Sequence, residues 1–246
     1  MCGRFAQHRG PLHYMEQFGL DPRDARLPNA PQRFNAAPTQ DLLVIRRNPD
    51  SAQAEMGLLR WGLVPSFSKD MSGAARLINA RSETVQEKAV FRGAWAKGRR
   101  CVVPADAFYE WQRTPDGKQP YAIARANGAP LALAGLWENW RDPASGEWVR
   151  TFTILTCAAN PRLAPLHDRM PVILDPADIP AWLAGPDPAP LLRPLPTEAV
   201  TLWPVSTRVN SVRNDDETLL VRLADEPLAP ECTDGAAHAE LKLFDR

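Results

Sequence analysis

Cys2, the second residue of the chain, occupies a position that gives it unusual chemistry. A small side chain after Met1 normally permits removal of the initiator methionine, so we expect a mature chain that begins with the amine and thiol of Cys2. The amine titrates near ~8 and the thiol near ~8.5, and both therefore have a nucleophilic fraction at neutral pH. Such a pair condenses with an aldehyde to an imine, which the thiolate closes into a thiazolidine ring. Position alone also allows Cys2 to be a small buried residue at the start of a first strand.

Three further segments carry side chains suited to proton transfer or anion binding. In the stretch 77–83, apolar and polar residues alternate, which places Asn79 and Arg81 on one side of an extended backbone. Glu110 stands between two aromatic residues, which can desolvate a carboxylate and raise its pKa, although an ordinary outward-facing strand carboxylate is the alternative. His167 precedes a predicted strand, and its ordinary pKa suits acid catalysis, although a lone histidine is more often structural.

Short runs of β-branched and aromatic residues between turn-forming clusters predict the elements that position these side chains. Strands are predicted over residues 41–46, 56–64, 100–103, 108–112, 121–125, 131–137, 148–155, 170–174 and 200–205. Short helices are predicted over 11–18, 82–88, 161–166 and 176–183. The fold class is therefore α+β: a β-rich single domain whose antiparallel sheets curl into a barrel-like core flanked by short helices.

Composition and charge exclude several classes of protein. With 44% hydrophobic and 24% charged residues, the chain can bury a full core and is not intrinsically disordered. Residues 1–125 carry 19 basic and 12 acidic side chains, whereas residues 126–246 carry 10 and 17. This asymmetry predicts either a basic face that binds an anionic partner or a basic half that pairs with an acidic half.

The N-terminal residues lack the apolar core of a signal peptide, and no stretch has the ~18 apolar residues of a membrane span. We therefore expect a cytoplasmic protein with reduced cysteines. No pair of cysteines has the C-x-x-C spacing of a zinc or redox site, and we expect neither a metal nor an organic cofactor. Residues 224–246 are acidic and poor in large apolar side chains, so we expect a loosely docked tail.

Seven short motifs, taken together in this order, resemble the SOS-response-associated peptidase (SRAP) family. They are MCGRF at 1–5, NAAP at 35–38, WGLVP at 61–65, NARSE at 79–83, RCVVPA at 100–105, FYEW at 108–111 and HDRMP at 167–171. The resemblance extends to about residue 210, and it implies an SRAP domain over residues 1–223. It also implies a protein, expected to be monomeric, that binds single-stranded DNA and crosslinks its N-terminal cysteine to the ring-opened aldehyde of an abasic site.

The resemblance also implies roles for individual residues. Cys2 resembles the crosslinking nucleophile, Asn79 the residue that orients its amine, Glu110 the acid and base, and His167 the acid that helps to open the sugar. Arg4, Arg81 and Arg169 resemble phosphate ligands, while Trp61 and Thr156 fall where the family lines its DNA groove. Phe67 stands where many members have a second tryptophan, and Cys157 is expected to be a small packed residue.

Two other functions remain open. One is a cysteine peptidase in which Cys2 is an N-terminal nucleophile, His167 the base and Asn79 an oxyanion donor. The other is a non-covalent single-strand binding module that uses arginine and tryptophan contacts. Only the aldehyde reaction requires both the α-amine and the thiol of Cys2.

Overall fold

The computed structural model describes residues 2–21, 27–115 and 117–223, and in them short strands dominate. The strands are β1 Phe5–Gln7, β2 Arg33–Ala36, β3 Asp41–Arg47, β4 Ala54–Trp61, β5 Asn79–Arg81, β6 Arg100–Ala105, β7 Ala107–Thr114, β8 Gly117–Arg125, β9 Leu131–Arg141, β10 Trp148–Ala158, β11 Arg169–Pro171, β12 Ile173–Leu174 and β13 Val200–Pro204. The α-helices are α1 Pro11–Gln17, α2 Ala89–Ala96 and α3 Ile179–Ala184. In these described ranges no helix is both long and apolar enough to span a bilayer.

Five strands close into a barrel in the order β10–β4–β3–β6–β9, with β9 pairing back to β10. The central residues of β3, β6 and β9 are mostly apolar on both faces and buried, as expected for strands that are covered on the inside and the outside. The barrel-like core that the sequence predicts is thereby confirmed. Most strand pairs are antiparallel, as the sequence predicts, and β10 also runs parallel to β4 and β5. Long connections separate these strands in sequence, and such connections permit parallel pairing.

A second sheet, in the order β13–β8–β7–β1–β2, packs against the barrel and carries the N-terminal segment. The ring of Phe5 in β1 lies 5.0 Å from that of Trp61, which in turn stacks on Phe152 of the barrel at 6.2 Å. All three rings are completely buried in one continuous hydrophobic cluster. The two sheets therefore share a core, which confirms the β-rich single domain.

The helices match the sequence less closely than the strands do. Helix α1 is confirmed, and the prediction over 176–183 corresponds to a 3₁₀ turn followed by α3. The predicted helices over 82–88 and 161–166 are wrong, since both segments form turns and α2 begins only at Ala89. The first of these segments is held by β10, because the N–H of Ser82 donates to the carbonyl of Thr156. Within it, the N–H of Thr84 donates to the carbonyl of Arg81 and that of Glu87 to the carbonyl of Thr84, so the segment forms separate turns and not a continuous helix. The predicted tail at 224–246 lies outside the described residues.

Candidate functional site

Cys2 lies just before β1 and is completely buried. Pairing of Phe5 with Phe108 of β7 and with Ala36 of β2 fixes the course of the chain at this point. Burial and the nearby negative charge of Glu110 raise the pKa of the Cys2 thiol above its ordinary value. The expectation of a thiol with an ordinary pKa is therefore wrong, since position in sequence does not report burial. At neutral pH the thiol is protonated, and it needs a base before it can act as a nucleophile.

Asn79 is tied directly to the backbone of residue 2. As the first residue of β5, which pairs with Ile154 of β10, it is held against the barrel. Its side-chain amide donates to the carbonyl of Cys2 at 2.7 Å. Its Oδ1 atom is buried, and within the described ranges nothing donates a hydrogen bond to it. The side chain thus fixes Cys2 with one end and presents a buried acceptor at the other.

Glu110 and His167 meet at one cleft of about 470 Å³. Its lining consists of Glu110, Trp111, Arg113 and Lys118 from β7 and β8, and of Pro165, Leu166, His167 and Asp168 from the loop before β11. The Glu110 side chain is almost completely buried, whereas one third of His167 is exposed. Because the charge of Glu110 also acts on the Cys2 thiol, this carboxylate links the buried cysteine to the open cleft.

The imidazole of His167 has two alternative contacts at the same nitrogen. Nδ1 lies 3.0 Å from the backbone N of Arg169 and 2.6 Å from a carboxylate oxygen of Asp168. In the neutral ring Nδ1 accepts the hydrogen bond from Arg169, and Nε2 then carries the proton. In the protonated ring Nδ1–H can donate to Asp168 instead. The protonated ring and the neutral ring that accepts from Arg169 both carry a proton on Nε2, which is then a donor for a ligand in the cleft, whereas a neutral ring with its proton on Nδ1 presents Nε2 as an acceptor.

The predicted phosphate ligands differ in how far the protein already uses them. Arg169 makes two hydrogen bonds to Glu83, at 2.6 and 2.8 Å, and a third to the carbonyl of Thr156 at 2.5 Å. The pKa of Glu83 is lowered to about 2, chiefly by its hydrogen bond with Arg169. Arg4 donates to the Oδ1 atom of Asn35 and to the carbonyl of Val209, both at 3.0 Å.

Arg81, at the end of β5, is exposed, and among the described residues its guanidinium has neither a hydrogen bond nor an ion pair. Of the three arginines that the sequence predicts as phosphate ligands, Arg81 is therefore the one whose guanidinium N–H groups make no hydrogen bond to the described part of the chain.

Trp61 and Thr156 are completely buried. The indole of Trp61 donates to the carbonyl of Ile78 at 3.0 Å, and Thr156 pairs with Arg81 across the β5–β10 ladder. Both side chains therefore hold β5 in place and are not accessible to a base in this structure. Phe67 is 68% exposed, and Cys157 is a packed residue, as the sequence predicts.

Sequence reasoning missed two cations in the cleft, Arg113 and Lys118. The Asp116-Gly117 pair between two strand-like runs is a hairpin signal. A two-residue loop at that pair would place Pro115 opposite Lys118, whereas the structure pairs Thr114 with Gly117 and Arg113 with Lys118, so the hairpin signal alone does not give the register.

Comparison with known proteins agrees with this architecture. Residues 1–212 match the family model described as SOS response associated peptidase (SRAP). The chain is 37% identical over 229 residues to the abasic site processing protein YoqW of Bacillus subtilis, covering 89% of this chain and 99% of that protein. It is also 36% identical over 204 residues to the abasic site processing protein HMCES of Gallus gallus, covering 72% of this chain and 60% of HMCES.

Solved structures show the same fold. A protein from Bacteroides thetaiotaomicron superposes with a TM-score of 0.79 at 24% identity, covering 91% of this chain and all of its own. A protein from Bordetella bronchiseptica superposes with a TM-score of 0.71 at 31% identity, covering 83% of this chain and all of its own. The family match spans most of the chain and contains Cys2, Asn79, Glu110 and His167. The chain therefore belongs to the SRAP family.

Proposed function

We propose that this protein captures abasic sites in single-stranded DNA through a covalent thiazolidine between Cys2 and the sugar aldehyde. The observation that carries the proposal is the arrangement of Cys2, Asn79 and Glu110 beside the cleft that contains His167. The names of YoqW and HMCES, which describe abasic site processing, support the same substrate class. The reaction needs no metal or organic cofactor, because every step is a proton transfer or an addition to a carbonyl or imine carbon.

The first step opens the sugar. An abasic sugar is mostly a closed hemiacetal, and protonation of its ring oxygen releases the aldehyde. His167 suits this role, because Nε2 carries a proton in the protonated ring and in the neutral ring that accepts from Arg169, and the side chain is open to the cleft. Proton return from the hemiacetal hydroxyl completes the step without net consumption of acid.

The second step joins the amine to the aldehyde carbon. Removal of Met1 frees the α-amine of Cys2, and the buried Oδ1 atom of Asn79 is an acceptor that can orient it. The amine nitrogen attacks the carbonyl carbon, and Glu110 carries one amine proton to the alkoxide oxygen to give the carbinolamine. Glu110 then carries the second amine proton to the hydroxyl, which leaves as water and yields the imine.

The third step closes the ring. The thiol sulfur bonds to the imine carbon, and its proton passes to the imine nitrogen. Because burial and Glu110 keep the thiol protonated, Glu110 is the group placed to relay this proton. Ring closure competes with β-elimination at the imine, so the DNA strand remains intact and lyase chemistry is suppressed.

The peptidase alternative receives less support from the geometry. It requires Asn79 to donate its amide to the oxyanion of a bound peptide. That amide already donates to the carbonyl of Cys2 itself. The binding-module alternative leaves the buried cluster around Cys2 without a function.

Intact-mass spectrometry of the protein mixed with abasic single-stranded DNA tests the proposal. We expect a heat-stable species whose mass equals the chain without Met1 plus the DNA, less one water. An adduct that retains Met1, or a heat-stable adduct formed by Cys2→Ala, would contradict the mechanism. Hydrolysis of test peptides in the absence of any DNA adduct would favour the peptidase instead.

A further inference from the structure

The β7–β8 hairpin brings two cations to the same cleft as Glu110 and His167. Arg113 on β7 pairs directly with Lys118 on β8. Directly opposed residues in an antiparallel pair have Cβ atoms roughly 5 Å apart. Both side chains are exposed, and both line the cleft.

Two like charges directly opposed across a ladder destabilise a hairpin unless an anion compensates them. Other exposed arginines of this protein have such an anion: Arg208 pairs with Asp216 at 2.8 Å, for example. Within the described part of the chain, Arg113 and Lys118 have no ion pair and no side-chain hydrogen bond. The hairpin therefore presents two adjacent cations whose donors are directed to solvent or to a ligand.

The position of the pair identifies the class of ligand. Arg113 and Lys118 line the same cleft as Glu110 and His167. The cleft, at about 470 Å³, falls within the range of about 300–1,000 Å³ for small-ligand sites. A sugar that reaches both Glu110 and His167 would have its flanking phosphate near the hairpin. A phosphate offers several anionic oxygens, which suits one guanidinium and one ammonium group together.

We propose that Arg113 and Lys118 form a phosphate-binding pair that holds a phosphodiester next to the abasic nucleotide. The inference rests on the proposed function, since it takes single-stranded DNA as the ligand. It also supplies cationic donors for the DNA, since Arg4 and Arg169 already donate hydrogen bonds to acceptors within the protein. The pair, together with Arg81, would then provide the free cationic donors that the strand requires.

The test compares two double variants that remove the same charge. Arg113→Gln/Lys118→Gln neutralises the hairpin, and Arg92→Gln/Lys97→Gln neutralises two exposed cations on and beside α2 that do not line the cleft. Fluorescence anisotropy with an undamaged single-stranded oligonucleotide measures affinity over a range of salt concentrations. We expect the hairpin variant to flatten the log–log salt dependence by about 0.7 for each phosphate that the protein no longer neutralises, and the α2 variant to keep the wild-type slope.

A charge-preserving variant separates binding from folding. Arg113→Lys/Lys118→Arg should retain the wild-type slope, because the two positive charges remain on the same strands. An equal slope for the hairpin and α2 variants, with wild-type protein that binds DNA, would overturn the phosphate-binding pair. A wild-type protein that binds no single-stranded DNA would instead overturn the proposed function. Because this measurement uses undamaged DNA, absence of a covalent adduct does not affect its outcome.

Discussion

The site contains two groups of polar residues. One group interacts mainly with other protein groups, and the other has its charges in solvent. In the first group, the buried cluster, Cys2 and Glu110 are buried and Asn79 is half-buried, with the Asn79 amide bound to the carbonyl of Cys2. The exposed cations, Arg81, Arg113 and Lys118, have their charges in solvent. Groups held in a low-dielectric interior can have altered reactivity and fixed geometry, whereas solvated cations keep their donors for a ligand. Substitutions in the buried cluster should therefore change reaction rate, and substitutions among the exposed cations should change affinity.

The largest effect is expected for Cys2→Ser, which should abolish the heat-stable adduct. A hydroxyl does not close a thiazolidine, although the imine can still form. The matched control is Cys157→Ser, since Cys157 is another buried thiol, and this variant should retain the adduct. Denaturing gel electrophoresis after incubation with abasic single-stranded DNA distinguishes them. Loss of the adduct in both variants would show that the effect does not depend on the position of the thiol.

Glu110→Gln should slow crosslinking by about 10²- to 10⁴-fold, the usual contribution of a general acid or base. Glutamine keeps the size of the side chain but does not exchange a proton. Dissolution of a preformed crosslink should slow as well, because by microscopic reversibility the same group serves both directions. Single-turnover rates measure both effects, with the exposed Glu87→Gln as the control. An unchanged rate in either direction would show that Glu110 is not the group that transfers the protons.

Arg169→Ala and Arg81→Ala should differ in a way that tests the comparison directly. Arg169 makes three short hydrogen bonds within the protein, so its removal should lower the free energy of unfolding by about 1.5–3 kcal/mol. Arg81→Ala should change that free energy by less than about 0.5 kcal/mol and should weaken DNA binding instead. Urea unfolding and DNA titration of both variants provide the two measurements. An Arg169→Ala protein that is as stable as the wild type but binds DNA more weakly would indicate that Arg169 binds a DNA phosphate.

The smallest effect concerns the pH dependence of stability through Glu83. Its pKa in the folded protein is about 2, against an ordinary value of 4.5. A lowered pKa stabilises the fold above the ordinary value, and this contribution is lost as the pH falls from about 4.5 toward 2. Half of the Glu83 side chain is exposed, so solvent screening limits the contribution to about 1 kcal/mol or less. Wild type and Glu83→Gln should therefore differ in urea unfolding at about pH 6 and converge at about pH 2.5. If the difference in unfolding free energy did not change with pH, the Glu83–Arg169 ion pair would not stabilise the fold through the charge of Glu83.

The strands were predictable because their signal is local. Every strand segment that the sequence predicts corresponds to one or more observed strands, since β-branched runs between turn residues are read within a short window. The missed strands β1, β2 and β5 contain only a few residues each and form through pairing with distant partners. The helix predicted over 82–88 is wrong, because this segment closes as separate turns after its first N–H donates to β10.

The sequence by itself determined the family motifs, the aminothiol chemistry open to Cys2 and the acid and base residues as chemical types. Only the tertiary structure decided which arginines are free, because their acceptors are remote in sequence: Val209 is 205 residues from Arg4, and Glu83 is 86 residues from Arg169. Burial likewise decided the protonation of the Cys2 thiol. A residue type fixes which bonds a side chain is able to make, whereas its burial and its neighbours fix which of them it makes.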